Sequence, residues 1–297
     1  NLILSAYDLG IAKEIEKAGQ INNAFAFRFV KRLLDEYGTS RVNADWAVSV
    51  WCVCYGQHML RKPCDIKISS GKAGYAPAIR EEKSGPVQYG DLFSYERSSS
   101  GQGYAVNGFQ GSNKQTIIFQ NTYRNQPVVE IKAGAFSESE VQEAIMTEGF
   151  IKIADRAFYG CTKLQQIIFP ISLKELGDHA LAGCGGLTTA SLPMMLEQIG
   201  AYALAGTKLK NIQIPKTVFW IGEGAFSDCK FISKMDIPTN INEVADKMFM
   251  GCESLTKITL HDNLQRIGEA AFKGCVNLET IYVPDSVTQI GEESFED

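Results

Sequence analysis

Ile267-Gly268-Glu269-Ala270-Ala271-Phe272-Lys273-Gly274-Cys275, continued by Leu278-Glu279-Thr280-Ile281-Tyr282-Val283-Pro284, is the stretch on which the fold turns. Its second half alternates apolar and polar residues with period two, which predicts a short strand with one buried face. The proline that closes it has no N–H to give to a ladder and ends the strand. The first half is dense in small residues and sets an aromatic residue in their midst. The same text recurs upstream. With Phe272 as phase marker, the equivalent positions are Phe136, Phe158, Leu181, Leu204, Phe226, Phe249 and, downstream, Phe295. The intervals are 22, 23, 23, 22, 23, 23 and 23 residues, too regular to arise without an internal repeat.

Other positions keep the same beat. Cys161, Cys184, Cys229, Cys252 and Cys275 each stand three residues after a marker. The repeat of Leu204 has no cysteine, which the one-residue deletion in that repeat is expected to explain. An aliphatic row runs through Leu164, Leu187, Leu209, Ile232, Leu255 and Leu278. A second follows at Ile167, Ala190, Ile212, Met235, Ile258 and Ile281, with Ala190 its weakest member. A third, five residues before the markers, is Ile131, Ile153, Leu176, Ile199, Ile221, Val244, Ile267 and Ile290. Gly177, Gly200, Gly222, Gly268 and Gly291 stand where the chain must turn tightly, but Lys132, Ala154 and Ala245 share their phase, so a positive φ is not required there. One such repeat cannot bury its own apolar face. Stacked copies share a continuous core, so the expectation is one short parallel strand per 23 residues, with like residues stacked in ladders.

Composition restricts the rest. The chain has 297 residues and 45% hydrophobic content, enough for a large core. Its net charge of −5 and intermixed acids and bases argue against nucleic-acid binding, which needs a concentrated basic face. No apolar run approaches a membrane span. The chain starts at Asn1 rather than Met and reads as an excised piece. Ahead of the repeats, Phe93-Ser94-Tyr95, Tyr104-Ala105-Val106 and Thr116-Ile117-Ile118-Phe119 read as strands, with turns at 98–101 and 111–113. The region 138–148 departs from the repeat and is expected to carry a short helix. Over residues 1–66 apolar residues recur at three- and four-residue spacing, which predicts three amphipathic helices. The whole is thus an α+β chain: a helical module over 1–66, a Gly/Ser/Lys/Pro linker over 67–86, and a solenoid over 87–297 whose β-rich entrance cap spans 87–131.

The marker text Ile-Gly-x-x-Ala-Phe, then Gly-Cys, then Leu-x-x-Ile-x-Ile-Pro resembles the BspA-like leucine-rich repeats, over roughly Val128 to the end. That resemblance implies a non-catalytic, secreted or surface-attached bacterial protein that adheres to host proteins or other cells. Arg32-Leu33-Leu34-Asp35-Glu36-Tyr37-Gly38 with Ala44-Asp45-Trp46-Ala47-Val48 and Trp51 is similar to a helical accessory module of multidomain bacterial proteins. This second resemblance implies an intracellular regulatory or assembly role, so the two point to different compartments.

Cys52, Cys54, His58 and Cys64 form the one compact metal-type group. On a helix, however, Cys52 and Cys54 diverge by about 200°, and paired zinc ligands sit on turns. Cys54 and His58 share a helical face but lack an orienting third group. The glycines at 71–74 and 101–103 lack phosphate-loop spacing. His179 and His261 fall at turn positions expected to be solvated. The thiol row would place Cβ atoms ~4.8 Å apart, too far for an unstrained disulfide, so buried free thiols are expected. No catalytic residue, cofactor or metal site is assigned.

What remains is the outward side of the strands. It comprises Gln166 and Ile168, Thr189 and Ser191, Asn211 and Gln213, Lys234 and Asp236, Lys257 and Thr259, and Thr280 and Tyr282. This polar, mostly uncharged stripe either only solvates a sheet or serves as the binding face solenoids commonly use, with a protein as partner. Leu278–Val283 is read as the last full strand. Its free edge leads to an expectation of weak self-association through 267–297.

Overall fold

The computed structural model describes residues 92–110 and 115–297. The helical module of 1–66, the linker of 67–86 and the Cys52–Cys64 group lie outside the described residues, as does the turn expected at 111–113. In chain order the strands are β1 Phe93–Arg97, β2 Tyr104–Phe109, β3 Thr116–Phe119, β4 Thr122–Tyr123, β5 Gln126–Ile131, β6 Glu143–Met146, β7 Lys152–Ile153 and β8 Gln166–Ile168. They continue with β9 Glu175–Leu176, β10 Gln198–Ile199, β11 Trp220–Ile221, β12 Lys234–Asp236, β13 Glu243–Val244, β14 Lys257–Thr259, β15 Arg266–Ile267 and β16 Gln289–Ile290.

The repeat makes two parallel ladders, not one. The first is the expected one. β3 pairs with β6 and β6 with β8; a single bridge joins Gln166 to Thr189; farther on, β12 pairs with β14. The second runs β2-β5-β7-β9-β10-β11 and then β13-β15-β16. It is built on the Ile and Leu residues five before each marker, for example Leu176 against Ile199 and Ile199 against Ile221. Most of its strands are only two residues long, too short to show an alternation in sequence, which is why the spacing suggested only a core position there. The first ladder thins where its chemistry is weak. At Ala190, which offers little apolar area, it shrinks to the Thr189 bridge. Around Ile212, in the shortened repeat, no strand forms.

Two further expectations need correction. Residues 278–283 form no strand: Leu278, Ile281 and Val283 are partly buried, with a coil on one side only. Region 138–148 carries no helix. Its Glu143–Met146 is β6, whose Ala144 and Met146 are buried between the coils of β3 and β8. At the entrance β1 and β2 form an antiparallel hairpin, and β2 and β3 each start one of the two parallel ladders.

The ladders of like residues are the core. Leu164, Leu187, Leu209, Ile232 and Leu255 are fully buried in one row. Phe226, Phe249 and Phe272 stack with centroids 5.6 Å apart and planes within 8°, an offset arrangement aromatic rings favour. The tight turns fall two residues either side of the marker. His179, Tyr202 and Lys247 take φ of 55°, 53° and 56° before it, and Gly183, Gly206 and Gly251 take 74°, 69° and 71° after it. Gly200 has no such φ. Glycine is used there because a Cβ would lie 2.5 Å from the backbone carbon of Gly177 in the coil beneath.

The thiol row shows what its phase requires. Each S–H donates to the marker carbonyl of the preceding coil: Cys184 to Phe158 at 3.1 Å, Cys229 to Leu204, Cys252 to Phe226 and Cys275 to Phe249, each at 3.2 Å. Each of these carbonyls also accepts the backbone N–H three residues on, as Phe158 does from Cys161 at 3.2 Å, and the thiol adds a second donor from the neighbouring coil. In the Leu204 repeat the phase is not lost, contrary to the expectation from its missing cysteine. Thr207, 1% exposed, occupies it, but its hydroxyl donates within its own coil, to the Leu204 carbonyl at 2.9 Å, and lies 3.3 Å from the Cys229 sulfur. The missing residue falls after it, before Leu209. Thr207→Cys should therefore change stability by less than about 1 kcal/mol, and Thr207→Val, which keeps the shape and loses the donor, should cost about 1–2 kcal/mol. Chemical denaturation of both variants checks this; equal losses would show that volume alone matters at the phase.

Candidate protein-interaction face

The side chains of the first ladder alternate as the sequence implies. In β8, β12 and β14 the central Ile167, Met235 and Ile258 are buried and their neighbours face outward. All twelve stripe positions lie on this outer side. Gln166 and Ile168 are half-buried; Thr189, Ser191, Asn211, Gln213, Lys234, Asp236, Lys257, Thr259, Thr280 and Tyr282 are exposed. Pairing puts Gln166 beside Thr189, Lys234 beside Lys257 and Asp236 beside Thr259. Asn211, Gln213, Thr280 and Tyr282 lie in segments outside the named strands.

Two members of the face were missed. Ile118 of β3, Ile145 of β6 and Ile168 of β8 stand side by side in register, all half-buried. They make an apolar end to an otherwise polar stripe. Ile145 was within reach, being 23 residues before Ile168, but the expected helix over 138–148 hid it. Farther along, Lys234 and Lys257 are direct cross-strand neighbours, an arrangement that disfavours the sheet, and among the described residues neither takes part in an ion pair of 4.0 Å or less.

The two histidines are not simply solvated. His179 is half-buried and stacks on Tyr202, centroids 5.2 Å apart and planes 5° apart, with the edge of Tyr159 on its other side. His261 Nε2 lies 2.9 Å from the Pro238 carbonyl, in the coil below. Both are inter-coil rungs. Tyr202 donates its hydroxyl to Glu223 Oε1 at 2.7 Å, and Lys247 Nζ donates to the same oxygen at 2.7 Å. Those two donors hold the Glu223 carboxyl below the ordinary carboxylate range. Among the described residues there is no group of three or more His, Cys, Asp or Glu side chains able to hold a metal, and no helix long and apolar enough to cross a membrane.

Stacked coils, paired parallel ladders and rows of buried Leu, Ile and Phe define a leucine-rich-repeat scaffold. The family model for the BspA-type leucine-rich-repeat region matches residues 129–229 and 174–297, in six copies. The chain belongs to the BspA-type leucine-rich-repeat family. Among solved structures it is similar to a leucine-rich-repeat protein of T. pallidum, at 26% identity and a TM-score of 0.59, over 69% of this chain and 99% of that one. It is also similar to one from Bacteroides ovatus, at 27% identity and a TM-score of 0.54, over 68% of this chain and 60% of that one. No curated protein matches the chain.

Proposed function

We propose that this chain is a non-catalytic adhesin-type scaffold that binds a protein at a cell surface through the outer side of its first ladder. The observation that carries the reading is the stripe itself, with Ile118, Ile145 and Ile168 at one end and the juxtaposed Lys234 and Lys257 farther along. An apolar patch rimmed by polar residues marks interaction surfaces more often than bare solvation requires. Two like charges held side by side cost stability that a carboxylate-bearing partner would return. The family contributes the expectation of adhesion.

The test uses the fluorescently labelled chain and intact epithelial and bacterial cells, read by flow cytometry. Saturable binding is expected, lost when the cells are pretreated with protease and weakened at least ~10-fold by Ile145→Lys with Ile168→Lys, since apolar anchors dominate such interfaces. Lys234→Glu should weaken it less, mainly by slowing association. Binding that survives both changes, or the absence of saturable binding, would count against the stripe.

A further inference from the structure

Beyond the stripe, a second set of outward positions breaks the repeat's chemistry. In the turn before each second-ladder strand, the later coils carry the polar pairs Lys216-Thr217, Thr239-Asn240, Asp262-Asn263 and Asp285-Ser286. The equivalent pair in one coil is Met194-Met195, 49% and 47% exposed. At the start of the second-ladder strands, neighbouring coils carry Lys174-Glu175, Glu197-Gln198, Asn242-Glu243 and Gln265-Arg266. The equivalent pair in the next coil up is Phe219-Trp220, 53% and 44% exposed. The two departures fall in adjacent coils and are tied together by backbone. The Thr217 hydroxyl lies 2.8 Å from the Met194 carbonyl and 2.7 Å from that of Leu196, the Phe219 N–H donates to the Glu197 carbonyl at 3.0 Å, and Trp220 pairs with Gln198.

Folding gives no reason for these residues. The inward partners in the same segments, Leu196, Ile199, Val218 and Ile221, are already buried, and the later coils meet the same backbone geometry with polar side chains outside; in earlier coils Ile151 and Ile171 hold these phases but are half-buried. Large exposed Trp, Phe and Met are the residue types enriched where proteins meet, and the unbranched thioether of Met adapts to varied apolar shapes.

We propose that Met194, Met195, Phe219 and Trp220 form a second interaction surface, which takes an apolar, uncharged segment of a partner polypeptide. The charge around the patch selects that occupant. Flanking carboxylates are neutralised within the chain: Lys174 holds Glu197 at 2.8 Å, Lys152 holds Glu175 at 2.7 Å and Arg266 holds Glu243 at 3.4 Å. With these carboxylates paired, burial of apolar surface is left as the main driving force. An anionic membrane would meet a chain of net charge −5.

A displayed library of random 12-residue peptides, selected on the full chain, supplies the probe, with Kd read by fluorescence polarisation. The expected peptides share apolar anchors. Trp220→Gln and Met195→Lys should each weaken them at least ~10-fold, as loss of a central anchor does, with melting temperatures unchanged because all four side chains are exposed. Ile168→Lys, on the other ladder, should leave the affinity as it is. Because Trp220→Gln and Met195→Lys alter different coils, either suffices if the other destabilises the chain. The proposal fails if no peptide is enriched, if the selected peptides ignore both changes, or if Ile168→Lys abolishes them. The last result would place binding on the stripe and favour the function proposed above. It also fails if Trp220-dependent binding goes instead to phosphatidylglycerol–phosphatidylcholine vesicles or to an immobilised glycan array.

Discussion

Phe249→Ala should cost the solenoid about 3–5 kcal/mol. The ring is fully buried and lies between two others, 5.6 Å from Phe226 below and 5.6 Å from Phe272 above. Truncation removes its transfer free energy and leaves a cavity whose walls belong to three coils. The backbone there cannot collapse to fill it, because Phe249 N–H is bonded to Ala271 O at 2.8 Å and Phe226 N–H to Met248 O at 3.0 Å. The same change at Phe295 should cost far less, on the order of 1 kcal/mol. That ring, 42% exposed, is covered on one side only, by Phe272 at 5.4 Å. In a structure whose stability is a sum of repeats and nearest-neighbour interfaces, the contrast between mid-array and end positions is the informative quantity. Urea titrations of the two variants provide it. Equal losses would show that the stack is not the unit of stability, and no loss at Phe249 would remove the marker row from the core.

The rows that were legible in sequence are those in which one residue type returns every 22 or 23 positions to the same buried place. Leu164 to Leu255 and Phe136 to Phe272 could be read because packing against an identical neighbour leaves little freedom of choice. The second ladder escaped because a pair such as Glu175–Leu176 has no period to detect, and its hydrogen bonds come from stacking rather than local preference. The region of β6 was misread for a different reason. Glu143, Ala144 and Met146 are good helix formers, and their strand is imposed by Ile117 and Ile167, between which Ala144 is paired, a case of tertiary pairing overriding propensity. On the candidate face, alternation sufficed to say which residues point outward. It could not say which neighbours share a rung, so the Ile118–Ile145–Ile168 cluster and the Lys234–Lys257 pair emerged only with register. The Met194–Trp220 patch was hidden by the opposite effect: attention to what repeats passes over the two coils that deviate.

The thiol row gives the chain a specific weakness to alkali. Burial penalises the thiolate, which pushes Cys229 up from its ordinary value near 9 to about 11 and Cys275 to about 12, and burial holds Cys252 well above 9 as well. Below pH ~9 these thiols are protonated in both folded and unfolded chains and stability does not depend on them. Above it the unfolded chain releases protons that the native state retains until pH ~11–12, so each thiol removes about 1.4 kcal/mol per pH unit across that window. For Cys229 alone, two units amount to about 3 kcal/mol, a large part of the 5–15 kcal/mol that holds a typical domain together. Cys161 is set apart. The neighbouring Cys184, and then the Ser139 hydroxyl 3.3 Å away, favour its thiolate while Cys184 is itself raised, so these two thiols titrate as a pair rather than as independent buried groups. A test should therefore spare both and change Cys229, Cys252 and Cys275 to threonine, the residue the chain itself places in this row at Thr207. Lysines and tyrosines titrate in the same range, but they remain in both chains, and the difference isolates the thiols. Urea midpoints of the parent should fall steeply from pH 9 to 11, and those of the triple variant should fall distinctly less. Parallel curves would mean that the thiols ionise in place, and the ladder would then be open to water in a way the buried S–H to carbonyl bonds do not allow.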